Sequence, residues 1–196
     1  MGAVLGWSLL ASAFSYDFQD LQVRTFALID SEPKLVIDNA AAARIYGLDL
    51  SATMNFTERL SFAGALVWLP KREFVEFVSA VTGDTLSGNT LSRAPERSAS
   101  LSLGYERAVR GIGSLLTRLA YSYRSAYFFT RENEPGWEQD GFGLVDLFVR
   151  WDSAADRWSL FASGRNLFDA RYFNQAFLQS SPGYPANYEI GFRLQF

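Results

Sequence analysis

Acid–base and nucleophilic catalysis near neutral pH depend most often on histidine or cysteine, and this chain of 196 residues contains neither. Their absence excludes a disulfide scaffold and thiolate metal sites, and it removes the commonest metal ligand. What remains for covalent chemistry is a Ser–Lys pair or two carboxylates. Lys34 and Lys71 fall in long connections without an adjacent activated serine, and the pairs Asp17/Asp20 and Glu73/Glu76 read as surface charges at strand ends or in loops. The chain therefore does not read as an enzyme. Residues 131–140 concentrate acids around Trp137, but without the ordered ligand spacing of a calcium loop, so no metal or other cofactor is expected. The one constellation suited to binding is Tyr127, Phe128, Arg131 and Trp137, whose ring faces and cation would hold an anionic aromatic molecule. A net charge of −3 gives no footprint for nucleic acid.

Whatever positions these side chains must be strands. Tyr188, Ile190, Phe192, Leu194 and Phe196 alternate with Glu189, Gly191, Arg193 and Gln195, so one face of this stretch is apolar and the other polar. The same period of two runs through Leu48, Leu50, Ala52, Met54 and Phe56, through Ala99, Leu101, Leu103 and Tyr105, through Leu115 to Tyr123, and through Val145, Leu147, Val149 and Trp151. Residues 5–26, 60–78 and 158–173 alternate less cleanly, giving about eight strands in all. No apolar run reaches the roughly 20 residues of a membrane-spanning helix. Aromatic residues make up 16% of the chain and cluster at strand ends, as in Phe14, Tyr16 and Phe18, which suits the girdles of a membrane barrel.

The links alternate in length. Those at 55–59, 107–113 and 152–157 are short; those at 29–38, 71–93, 130–141 and 174–185 are long. Short periplasmic turns and long extracellular loops produce this pattern in an up-and-down antiparallel barrel of the bacterial outer membrane, with Tyr127, Phe128, Arg131 and Trp137 at the mouth. The polar face carries Ser51, Thr53, Ser98, Ser100, Ser102, Gly104, Ala120 and Ser122, which are too small to fill a closed eight-stranded lumen. These strands read as an arc of a wider wall. The alternatives are a complete small eight-stranded outer-membrane protein of structural or adhesive role, and a soluble lipocalin-type barrel with its apolar residues inward. Met1 to Gly6 lack the charged start of a secretory signal, so the chain is expected to be a piece of something longer.

Three phrases resemble those of TonB-dependent outer-membrane receptors. The first carries Asn39, Arg44, Tyr46, Gly47 and Asp49, with Asp49 where the family more often has Glu. The second runs from Gly88 to Glu96. The third, with Arg165, Asn166, Leu167, Phe168, Asp169 and Tyr172, is similar to the family's Asn-Leu-Phe-Asp phrase near the C-terminus. The resemblance implies a barrel of about 22 strands with an N-terminal plug. It implies uptake of scarce nutrients such as ferric siderophores or cobalamin, driven through TonB. Residues 1–196 then form one domain, the C-terminal part of that barrel, without plug, and TonB would be met only through the missing N-terminal region. The final strand, Tyr188, Ile190, Phe192, Leu194 and Phe196, would be read by the barrel assembly machinery and then face outer-membrane lipid. The motif residues are expected to be structural, because Asn and Asp side chains bond local backbone where a strand changes direction.

Overall fold

The computed structural model describes residues 6–29, 32–177 and 179–195, and among them there is no helix. Twelve strands form: β1 (Trp7–Ile29), β2 (Glu32–Asn55), β3 (Leu60–Glu76), β4 (Arg97–Val109), β5 (Gly113–Arg124), β6 (Tyr127–Phe128), β7 (Glu138–Gln139), β8 (Phe142–Ser153), β9 (Trp158–Arg165), β10 (Phe173–Phe177), β11 (Gln179–Pro182) and β12 (Asn187–Leu194). Eight of them make one antiparallel sheet in the order β1-β2-β3-β4-β5-β8-β9-β12, while β6 with β7 and β10 with β11 are small ribbons within the connections. Strands β1 and β12 are the two edges of this sheet and do not pair with each other. The sheet is open, and the small closed barrel is not the architecture found.

Register turns the alternation of each strand into two continuous faces. Thr53, Ala63, Ser102, Ala120 and Asp146 stand opposite one another across five strands, as do Ser51, Ala65, Ser100 and Ser122 across four. The next row along each strand is Met54, Phe62, Leu103, Leu119 and Leu147. Leu101, Leu103, Phe192 and Leu194 are all exposed, as lipid-facing residues must be, which excludes a soluble barrel packed around them. The polar face carries hollows of about 330 and 660 Å³, lined by residues such as Ser51, Ser102 and Arg118.

Three turns at one end are tight. Gly111 supplies a positive φ between β4 and β5, Asp156 does so between β8 and β9, and the Thr57 hydroxyl accepts from the amides of Arg59 and Leu60 between β2 and β3. All the long connections lie at the other end. There the sequence reading needs correction in three places. Where the structure describes the span 29–38, at residues 29 and 32–38, it is strand and not loop, because β1 and β2 pair from Trp7 with Met54 to Ile29 with Glu32. Strand β3 likewise runs on through Lys71 to Glu76. Phe14, Tyr16 and Phe18 belong to the polar face: Phe14 stands opposite Gly47, which lies on the Ser51 and Thr53 side of β2, and the three rings follow at 5.4 and 6.1 Å. They are not part of a lipid girdle.

Gly47 has a structural cause. Between the pairs Tyr46 with Lys71 and Leu48 with Trp68 the register shifts by one residue, so β3 bulges against this glycine. A Cβ there would lie 2.4 Å from the Trp68 carbonyl oxygen. Beyond the bulge, the chain after β3 folds back and buries the small core of Ala43, Phe74, Phe77 and Leu86, with the Phe74 and Phe77 rings 4.9 Å apart.

Candidate functional site at the loop end

The connections at the loop end are held together by side chains that were not expected to meet. Asp38, on β2, accepts from the Ser79 hydroxyl at 2.8 Å and from the Arg131 guanidinium at 2.9 Å. Both members of this ion pair are almost wholly buried, 1% and 3% exposed. Arg131 also donates to Ser79 and to Glu132, and its guanidinium lies 5.0 Å from the centre of the Phe77 ring. Burial alone would raise the Asp38 pKa, yet the bonds from Ser79, the Ala80 amide and Arg131 overcome it and hold the carboxyl below its ordinary value. Arg131 is thus fully engaged inside the protein. Its expected part as a ligand contact is corrected accordingly, because a guanidinium held by three protein partners and only 3% exposed is out of a ligand's reach. Tyr127 is buried too, its ring 5.4 Å from Phe129, whereas Phe128 and Trp137 are half-buried.

An exposed cation lies instead on the polar face, at Arg124. It makes no ion pair among the described residues. Around it Ser100, Ser122, Phe142, Leu144, Tyr172 and Asn174 line a hollow of about 380 Å³. Tyr172 stacks on Phe142 with ring centres 4.6 Å apart and planes 9° from parallel. Gly183 also lies close against the ring, since a Cβ there would come within 2.2 Å of it. Arg124, two stacked rings and the Asn174 amide therefore present a cation, an aromatic surface and polar groups toward one space, suited to an anionic aromatic molecule.

Tyr172 is placed by the turn that precedes it. Asn166 is buried with φ +50°; its side-chain amide donates to the carbonyls of Ala170 and Tyr184, and its oxygen accepts from the Ala170 amide. Its own amide donates to Asp146 at 2.8 Å. Asp169, also at positive φ, accepts from the Ala186 amide. Leu167 reaches toward Gly164, Phe168 is exposed, and Arg165 ends β9 opposite Asn187. In the earlier phrase, Arg44 pairs with Asp17 at the surface, Tyr46 and Asp49 are exposed, and the Asn39 amide donates to the Asp38 carboxylate. Tyr188, Ile190, Phe192 and Leu194 form an exposed stripe on β12; Phe196 lies outside the described residues.

Residues 3–167 match the family described as TonB dependent receptor-like, beta-barrel. The chain belongs to this family. As a TonB-dependent receptor barrel it is 27% identical over 161 residues to the metal-pseudopaline receptor CntO of Pseudomonas aeruginosa, a match that covers 80% of this chain and 21% of CntO. The barrel fold is similar to that of the ferric yersiniabactin uptake receptor FyuA of Yersinia pestis, with a TM-score of 0.76, 21% identity, and coverage of 97% of this chain and 28% of FyuA. BauA of Acinetobacter baumannii, the ferric preacinetobactin receptor, matches with a TM-score of 0.71 and 19% identity over 95% of this chain and 27% of its own. The receptor barrel described here thus spans less than a third of the length of each of these relatives.

Asp38, Ser79, Asn89 and Asn133, which organise the loop end, were not singled out from the sequence. The only local sign was residue type, since Asn133 adopts φ +55°, a conformation asparagine tolerates better than most residues.

Proposed function

We propose that this chain is the C-terminal wall of a TonB-dependent outer-membrane receptor that takes up a metal chelate, and that Arg124, Phe142, Tyr172 and Asn174 contribute to the ligand's path. The observation that carries the reading is the two-faced sheet: small polar residues in register on one side, exposed apolar residues on the other, and every long connection at one end. An apolar outer band matches lipid, and a lining of serine and alanine leaves space for a plug and for a bulky solute. CntO is a metal-pseudopaline receptor, FyuA a ferric yersiniabactin uptake receptor and BauA the ferric preacinetobactin receptor, and these similarities support this solute class. Phe128 and Trp137 remain candidates for outer contacts. The assembly machinery and TonB are the partners the family implies, the latter through a plug.

The test is uptake of radiolabelled ferric, nickel or zinc chelates by cells with and without the encoding gene. Loss of one chelate's uptake on deletion, restored by the gene and lowered at least tenfold by Arg124→Gln at unchanged outer-membrane abundance, is the expected result. Equal uptake of all chelates in the deleted strain would sink the proposal.

A further inference from the structure

Each long connection is tied to the next by bonds that span large distances in sequence. The first tie is the buried Asp38–Arg131 pair with Ser79, which joins β2 to the connection after β3 and to the one after β5. The second is reciprocal: the Thr90 amide donates to the Asn133 side-chain oxygen at 2.6 Å, while the Asn133 amide group donates back to the Thr90 carbonyl at 3.0 Å. Asn89 adds bonds to the carbonyls of Arg131 and Glu132. The third reaches the last connection, where the amide of Phe173 donates to the buried Gln139 side chain at 2.7 Å. Arg93 supports the same junction, its amide donating to the Phe128 carbonyl and its guanidinium to that of Asn174.

From this chain of contacts we infer that the loop end moves as one body, with Asp38 and Arg131 as positioning residues that hold Tyr172 and Asn174 through the connections between them. The physical reason is the asymmetry of a buried ion pair. Made, it adds little beyond what apolar packing would; with one partner removed, the other charge is left buried and unpaired, and the segments carrying it must separate to reach water. That separation pulls on Asn89 and Asn133, and through Gln139 on Phe173. The inference rests on the loop contacts and not on the uptake reading, so either can fail without the other.

The experiment is amide hydrogen exchange, read by mass spectrometry on the encoded protein in its native outer membrane. In Asp38→Asn, exchange across 77–96, 125–141 and 166–186 is expected to rise together by about tenfold or more, the response to a broken buried pair, while β4 and β5 keep their protection. A rise confined to peptides around Ser79 and Arg131, with 166–186 as in the parent, overturns the inference. Should Asp38→Asn fail to assemble, Asn133→Ala leaves the ion pair in place and cuts the tie to Thr90, together with the local bond to the Thr130 carbonyl. It must then loosen 125–141 and 166–186 in parallel, and independent behaviour of the two segments overturns the inference equally.

Discussion

Asn166 shows how much one amide can hold. Its side chain makes three bonds to backbone groups and its own φ is positive, so alanine at this position would leave partly buried backbone groups without these partners and meet a backbone penalty as well. A loss of about 2 kcal/mol is expected for Asn166→Ala, given roughly 0.5–1.5 kcal/mol for lost hydrogen bonds to partly buried groups and about 1 kcal/mol for the left-handed conformation. Urea unfolding of the membrane-inserted protein measures it, and a change under about 0.5 kcal/mol, the range of an ordinary surface substitution, would refute the role. Asp38 makes a prediction in pH. Its carboxyl is held below the ordinary value, so its stabilising contribution is complete above the unfolded pKa of about 3.9 and declines as pH falls through the lower folded value. Protease nicking in 77–96 and 125–141 should therefore be constant from about pH 8 to pH 5 and increase only below about pH 4. An increase between pH 7 and 5 would show that another group controls the loops.

At the scale of the strand, the two faces differ in what they tolerate. Leu101 lies near the middle of the apolar face, and Leu101→Arg should cost about 2–4 kcal/mol, as for a cation near the bilayer midplane. Ser100→Arg, one residue away on the polar face, should cost little, because its side chain enters the hollow beside Ser122. Comparing outer-membrane levels of the two variants checks this; a larger loss from Ser100→Arg would mean that the faces were exchanged, and equal loss from both would mean that the faces do not differ in tolerance. These elements were legible because period-two alternation repeats over many residues, and a one-residue slip would bring Leu101 and Leu103 to the polar side. The loop-end parts of β1, β2 and β3 were less legible. There Pro33, Pro70 and a run of alanines obscure the period, and β3 bulges at Gly47, so its faces change places partway along. The Asp38–Arg131 pair had no sequence signal at all. Its residues are 93 positions apart, and only the fold brings them together.

For the molecule as a whole, the open sheet is decisive. Strands β1 and β12 each present an unpaired edge among the described residues, and an edge in hydrocarbon leaves backbone groups without partners at several kcal/mol apiece. Produced with no further strands beside it, residues 1–196 should aggregate or pair edge to edge with another copy. A monomer that resists unfolding in cold detergent and shifts its gel mobility on boiling would count against this.

The ties at the mouth have one more property. Asn89, Asn133, Asn166, Arg93 and Gln139 reach main-chain amides and carbonyls, groups that every neighbouring residue supplies whatever its side chain. Substitutions at the positions they grip can therefore accumulate while the grip persists. A surface built in this way can change its side chains without changing its shape.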